Sequence, residues 1–397
     1  MHRLPVTQSS HIHPMLVNLL ACVALAVWIY LVAARGGFWM AAVRDDGGPA
    51  LQNWPKVTAV IPARDEATSV GETVESLMRQ DYRGALSIVL VDDQSADGTA
   101  DAARRAAREA SAMDRLTVLA GAALPAGWTG KLWAMKQGID YAQAGEPTYL
   151  LLTDADIAYQ RDAVSRLVEK AESEAFVLTS WMVKLRCESF AERALIPAFI
   201  FFFEMLYPFA WVNRRDRATA AAAGGCMLAR REALSAAGGI ESIRGALIDD
   251  CALAQHMKTQ GPIWLGLTER ARSTRAYPAF EDIRRMVARS AYAQLRYSPV
   301  LLAGTVAGMA VTYLAPVLLA LFGHGFAKTA GVLVWAAMAI VFQPVLRFYR
   351  LSPLWGPFLP AIALAYMVFT LDSAYQNARG RGGLWKGRVQ ANATEVR

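Results

Sequence analysis

An α/β domain built on a mostly parallel sheet and flanked by membrane helices is what this sequence predicts. Three observations carry that expectation. Between Arg35 and Pro299, short apolar runs alternate with polar, amphipathic stretches, the pattern of strands joined by crossover helices. Residues 15–34 form an uncharged apolar run about as long as a bilayer core is thick, and residues 300–322 form a second. The acidic pairs fall just past apolar runs, where parallel sheets place their ligand sites.

The first strand is expected at residues 57–61, followed by the turn Pro62–Glu66. A helix then opens with the capping box Ser69-x-x-Glu72 and carries Val70, Val74, Leu77 and Met78 on one face. The second strand, 86–91, ends in Asp92-Asp93, and the loop Gln94–Thr99 leads into an Ala- and Arg-rich helix to about Ala110. A third strand is expected at 116–119. After the loop Leu124–Gly130, a helix begins at Lys131 with Leu132, Met135 and Ile139 on one face. A fourth strand, 148–152, ends at Thr153-Asp154-Ala155-Asp156, and a further strand is expected at 176–183. Residues 195–212, rich in Phe but carrying Glu204, read equally as a buried helix or as an interfacial amphipathic one.

The organisation is then an N-terminal tail (1–14), a transmembrane helix (15–34), a linker (35–54) and the α/β domain (55–299). A C-terminal membrane region (300–375) and a basic tail (376–397) follow. Within the membrane region, 329–346 and 357–371 are near the lower length limit for a span. The first apolar run exceeds the usual core of a cleaved signal peptide, the alternative reading there. Of the 397 residues 54% are hydrophobic, and the net charge is +7, from 41 basic and 34 acidic residues. That excess suits a cytoplasmic membrane protein with basic inner loops and contacts to membrane lipids. No nucleic acid is expected as a partner, because the basic residues lack the clustering and aromatic interleaving of such an interface. The four cysteines (Cys22, Cys187, Cys226, Cys251) show no paired spacing, which points away from disulfides and zinc.

The chemistry-bearing residues are carboxylates and one lysine. Asp154 and Asp156 suit one hard cation, Mg²⁺ or Mn²⁺, which accepts one or two protein carboxylates and fills its shell with water and phosphate oxygens. The same pair would also serve as helix caps. Asp92 and Asp93 suit the N–H groups of a nucleobase, and the helix start beyond them suits phosphate or ribose. Ser95, Asp97 and Gly98 are accounted for as a turn and cap. Lys131 suits a diphosphate, or is simply a solvated helix start; neither the P-loop spacing nor GxGxxG is present. Asp249 and Asp250 either complement a helix dipole, or Asp250 is a base that takes the proton of an acceptor hydroxyl. Arg289, Gln294, Arg296 and Tyr297 precede the second long apolar run, as a leaving-group clamp and acceptor floor or as an interfacial belt.

In order, VIPARDE (60–66), VDDQSADGT (91–99), GWTGKLWAMKQG (127–138), TDAD (153–156) and IDDCALA (248–254) resemble the family 2 glycosyltransferases. With Trp385-Lys386-Gly387-Arg388 added, the chain looks most like the bacterial hopene-associated members, over roughly residues 55–390. The resemblance implies a GT-A fold, Rossmann-like, and inverting transfer from a nucleotide-sugar donor, a UDP-sugar ahead of a GDP-sugar. It implies Asp250 as base, Asp154 and Asp156 as metal ligands, and Arg64, Glu66 and Asp93 in the nucleotide pocket. Asp249 stands where the family usually has Glu, and Gln294-Leu295-Arg296-Tyr297 is one residue short of the processive Q-x-x-R-W motif. A lipid acceptor, a hopanoid among them, is therefore expected rather than a growing polymer. A polyprenyl-phosphate sugar transferase and a non-catalytic membrane module are compatible with the same motifs. The domain is expected on the cytoplasmic side of the inner membrane, the N-terminus outside, and 357–371 interfacial or re-entrant so that the basic tail stays inside.

Overall fold

The computed structural model describes residues 9–380, 382–385 and 388–389; Lys386 and Gly387 of the C-terminal motif lie outside them. The chain divides into two compact units. An α/β unit holds residues 42–186, 207–277 and the described residues from 376 on. A helical unit holds the described residues up to 41, 187–206 and 278–375.

The α/β unit opens with β1 (Val57–Ala63), α2 (Val70–Met78), β2 (Leu86–Asp92), α3 (Thr99–Glu109) and β3 (Leu116–Ala120), α1 being the membrane-type helix Ser9–Ala33 of the other unit. It continues with α4 (Gly130–Gln143), β4 (Tyr149–Thr153), β5 (Ile157–Tyr159), α5 (Ala163–Ser173) and β6 (Leu178–Lys184). After α6 (Phe190–Leu206) of the helical unit come α7 (Phe209–Val212), β7 (Cys226–Arg230), α8 (Arg231–Ala236), α9 (Asp249–Lys258) and β8 (Ile263–Ser273). The eight strands form one sheet in the order β3-β2-β1-β4-β7-β6-β8-β5. Only β7 and β5 run against the rest. The expected strands fall where the apolar runs are, whereas β5, β7 and β8 were not foreseen.

The central strands β1 and β4 are buried along their whole length because helices cover both faces. Val57, Ala59, Ile61, Ile88, Leu90, Tyr149 and Leu151 on one face pack with Val74 and Leu77 of α2 and Ala103 and Ala107 of α3. The α2 and α4 faces are buried as the periodicity predicts. The capping box is not made: Ser69 has no side-chain cap bond. Its hydroxyl instead donates to Glu66 Oε2 at 3.0 Å, and Glu72 pairs with Arg272.

Strand direction decides where the site forms. The carboxyl ends of β1, β2, β4, β6 and β8 share one edge. Antiparallel β7 begins there, with Cys226 opposite Thr153. Gly224 and Gly225 therefore enter beside the loop that leaves β4.

The helical unit contains α1, α6, α10 (Phe280–Ala288), α11 (Ala291–Gln294), α12 (Pro299–Met309), α13 (Ala315–Phe322), α14 (Gly325–Val341), α15 (Gln343–Phe348) and α16 (Leu359–Ala378). Gly331 allows α14 against α13: a Cβ there would stand 2.7 Å from the Pro316 carbonyl oxygen. Trp28 donates to the Thr312 carbonyl at 2.8 Å, and Tyr366 to the Leu195 carbonyl at 2.9 Å. Phe201 packs its ring 5.2 Å from Phe38 and 5.5 Å from Phe342.

Among the described residues, five stretches are long and apolar enough to cross a membrane: Pro14–Ala33, Phe190–Val212, Pro299–Phe322, Gly325–Phe348 and Pro353–Ala378. The segments 329–346 and 357–371 thus lie inside stretches of 24 and 26 residues. Phe190–Val212 is different in kind. It connects β6 to β7, which are paired neighbours in one sheet. A chain that leaves one strand and returns to the adjacent one ends on the side where it started. A single crossing by this stretch is incompatible with the sheet.

Candidate active site

Two loops at the edge are sewn together first. The Asp65 N–H donates to Ser95 Oγ at 2.9 Å, the Glu66 N–H to Thr99 Oγ1 at 2.8 Å, and the Ala67 N–H to Asp97 Oδ2 at 2.9 Å. Asp65 returns the contact by accepting from the Ala96 N–H at 2.9 Å. Asp65 and Gln94 hold φ of 50° and 57° and Gly98 88°, tight reversals that the Asp65 side chain and the glycine support. Asp92 Oδ1 accepts from the Ser95 N–H at 3.0 Å, so this carboxylate shapes the turn. Asp93 is fully buried. Arg64 donates to the Asp93 carbonyl at 2.5 Å, with its guanidinium 3.9 Å from Asp93 Oδ2.

The lysine and the remaining carboxylates converge on the same edge. Thr129 caps α4, its hydroxyl accepting from the Leu132 N–H, and this sets Lys131 in the first turn. Lys131 Nζ lies 2.9 Å from Asp154 Oδ1 and 3.1 Å from Asp249 Oδ2. Burial works against the charge of the ammonium, but Asp154 and Asp249 outweigh it and hold Lys131 well above the ordinary lysine range. Asp154 is raised above the usual carboxylate range, first by removal from water and then by Asp156, against the opposing pull of Lys131.

Asp250 stands beside this pair at the start of α9. Its Oδ2 accepts from the Gly224 N–H at 2.9 Å and its Oδ1 from the Cys251 N–H at 2.7 Å. Burial, reinforced by Asp249, pushes its carboxyl up to about 6, although Lys131 and both N–H groups pull the other way. A carboxylate tuned near neutral and fixed by two N–H donors has the character of a general base.

The cap reading of Asp154 and Asp156 fails. Asp156 leads into β5, and the next helix starts only at Ala163. Asp156 is instead fastened to the segment after β8. Its carbonyl accepts from the Thr274 N–H at 2.8 Å, and its Oδ2 from Arg275 Nε at 2.7 Å. The other end of the guanidinium reaches Glu66 Oε1 at 2.5 Å.

Arg64, Glu66, Asp92, Asp93, Lys131, Asp154, Asp156, Asp249 and Asp250 thus share one edge of the α/β unit. Gln294, Arg296 and Tyr297 belong to the helical unit. There, Arg296 and Tyr297 form the turn between α11 and α12 with φ of 51° and 54°, and Tyr292 donates to the Tyr297 carbonyl at 2.8 Å. Arg275 and Gly224 are the members that local sequence did not reveal. Arg275 follows a strand whose central Gly266 and charged end hide its pattern. Gly224 ends an Ala-rich stretch with no motif of its own.

Among the described residues, no three His, Cys, Asp or Glu side chains form a ready-made metal cage. Asp154 Oδ1 is on Lys131 and Asp156 Oδ2 on Arg275. The described residues donate no hydrogen bond to Asp154 Oδ2 or Asp156 Oδ1. One open oxygen on each of two neighbouring carboxylates fits an ion of the Mg²⁺ or Mn²⁺ kind, which takes most of its shell from phosphate and water.

A family model described as Glycosyl transferase family 2 matches residues 58–238. No curated protein matches the chain. Among solved structures, the chain is similar to the mannosyltransferase PcManGT from Pyrobaculum calidifontis, in complex with GDP-Man and Mn²⁺. The two are 20% identical over 94% of this chain and 100% of that one, with a TM-score of 0.53. TarS (1–349) from S. aureus, in complex with UDP, matches at 14% identity over 82% and 92%, with a TM-score of 0.41. Glucosyl-3-phosphoglycerate synthase from Mycobacterium tuberculosis, in complex with Mg²⁺ and uridine-diphosphate, matches at 14% identity over 63% and 86%, with a TM-score of 0.40. Residues 58–238 thus match the model of glycosyl transferase family 2, and the likeness to PcManGT shows a GT-A-like fold.

Proposed function

We propose that this protein transfers a sugar from a nucleotide-diphosphate sugar to the hydroxyl of a membrane lipid, with inversion, on the cytoplasmic side of the inner membrane. The observation that carries the reading is the bridge from Asp154 through Lys131 to Asp249, with Asp250 next in the chain. A cation for a departing diphosphate and a carboxylate tuned as a base share one cluster.

Lys131, largely buried beside Asp154 and Asp249, offsets charge that grows on the leaving diphosphate. A bound divalent ion, held by Asp154 and Asp156, supplies further Lewis-acid stabilisation of that diphosphate. Asp250 accepts the proton of the acceptor hydroxyl, which attacks the anomeric carbon from the face opposite the leaving group. One displacement inverts the centre. Asp93, Arg64 and Glu66 line the nucleotide pocket, a UDP-sugar ahead of a GDP-sugar. The PcManGT complex with GDP-Man and Mn²⁺ supports a nucleotide-sugar donor and a divalent ion. The apolar helices support a lipid acceptor, with a hopanoid as first candidate.

The test uses the full chain in nanodiscs with UDP- and GDP-sugars, Mn²⁺ and membrane lipid extract. Donor-dependent glycosylation of a lipid, identified by mass spectrometry and missing from a deletion strain, is the expected result. Absence of donor binding with and without Mn²⁺ would sink the reading. So would an Asp156→Ala enzyme that binds and turns over as the wild type does.

A further inference from the structure

Each carboxylate of the Asp154/Asp156 pair is already matched by a cation of the same chain. Lys131 holds Asp154, and Arg275 holds Asp156 at 2.7 Å. Arg275 does more than neutralise. Its guanidinium spans from Asp156, after β4, to Glu66 Oε1, after β1, at 2.5 Å. Its own segment is tied down by the Thr274 N–H and hydroxyl, both donating to the Asp156 carbonyl. Ser273 Oγ lies 3.4 Å from the same Asp156 Oδ2.

We propose that Arg275 is an exchangeable internal counter-ion, which holds Asp156 in the donor-free enzyme and releases it when a divalent cation arrives together with a nucleoside diphosphate. The inference rests on the nucleotide-sugar reading above. A divalent ion that arrives alone meets an Asp156 oxygen already in use and a like charge beside it. A diphosphate reverses the balance. Its oxygens complete the shell of the ion, and its charge gives the freed guanidinium a new anionic partner. Arginine suits the exchange, because its planar fork matches carboxylate and phosphate alike. Cation and nucleotide then strengthen each other's binding by the same factor.

Mn²⁺ binding to the full chain in detergent, read from the electron paramagnetic resonance of the free ion, tests this. Wild type is expected to bind Mn²⁺ weakly alone and about tenfold more tightly with UDP, GDP or inorganic pyrophosphate. Arg275→Met is expected to bind Mn²⁺ alone about tenfold more tightly than wild type, with the gain from diphosphate reduced. Arg275→Lys, which keeps the charge, stays near wild type. A purely structural role would weaken Mn²⁺ binding in Arg275→Met, and weaker or equal binding there overturns the proposal. Should Arg275→Met fail to show a wild-type melting transition, the wild-type comparison decides: equal Mn²⁺ affinity with and without pyrophosphate overturns the exchange. Failure to bind UDP and GDP under every condition sinks the donor reading and the nucleoside part of this proposal, whereas a failure confined to the Mn²⁺-only and pyrophosphate arms overturns the Arg275 exchange and leaves the donor reading standing.

Discussion

The Gly224 N–H donates to Asp250 Oδ2 at 2.9 Å, and the bare α-carbon of the same residue faces Lys131. A Cβ at position 224 would stand 3.3 Å from Lys131 Nζ and 3.5 Å from Asp250 Oδ2. One backbone position thus holds the Asp250 carboxylate and leaves room between it and Lys131. Gly224→Ala should fold normally and lower kcat by about tenfold, because small displacements of reacting groups are costly. Steady-state kinetics beside a melting curve separates the two effects.

Asp250→Asn should bind donor as wild type does and lose about 10²- to 10⁴-fold in transfer, the usual contribution of a positioned base. Its pH behaviour gives a second check. With the folded carboxyl pushed up to about 6 by burial and Asp249, wild-type kcat/KM should rise as pH increases through about 6. The sign for stability is opposite. Between the ordinary carboxylate value and about 6, the folded state binds the proton that the unfolded state has lost, so this group's contribution to stability falls as pH rises. Asn removes both dependences; an unchanged acid limb in any residual activity would assign the base elsewhere.

Chelation should abolish transfer, and added Mn²⁺ or Mg²⁺ should restore it. Asp154→Ala and Asp156→Ala should each show little rescue at the Mn²⁺ concentration that saturates wild type, measured as turnover against Mn²⁺. Full activity in the presence of chelator would remove the ion from the reaction.

Asp101 and Asp216, with side chains 72% and 62% exposed, flank the stretch Phe190–Val212 in sequence. Since β6 and β7 pair across that stretch, single cysteines at both positions should be labelled by an impermeant maleimide from the same, cytoplasmic side. Labelling from opposite sides would break the sheet order described above.

The α/β fold and the gathering of acidic residues at one sheet edge are legible in the chain because a parallel sheet is a strong constraint. Once 57–61, 86–91 and 148–152 are strands with helices between them, the residues just past each must meet at one edge. Glu66, Asp93 and Asp154 are placed at that edge in that way. The length and apolarity of the membrane-type helices are likewise properties of composition. Ser69 shows where local reading ends: its capping motif is intact in sequence, yet its hydroxyl goes to a carboxylate three residues earlier.

Pairing over long sequence distance decided the rest. Asp156 caps no helix, and its carboxylate goes instead to Arg275, 119 residues away. The surroundings of Asp250 turned on Gly224, which reaches that edge only because β7 runs antiparallel to β4. Phe190–Val212 has the length and composition of a crossing helix, and only the β6–β7 pairing forbids it a single crossing. Sequence by itself determined which segments become strands and membrane-type helices and which acidic residues end at the sheet edge, since these follow from local apolar periodicity. Tertiary structure decided which cation each carboxylate meets and which side each segment returns to. Ion pairs and strand neighbours join residues that no local pattern links.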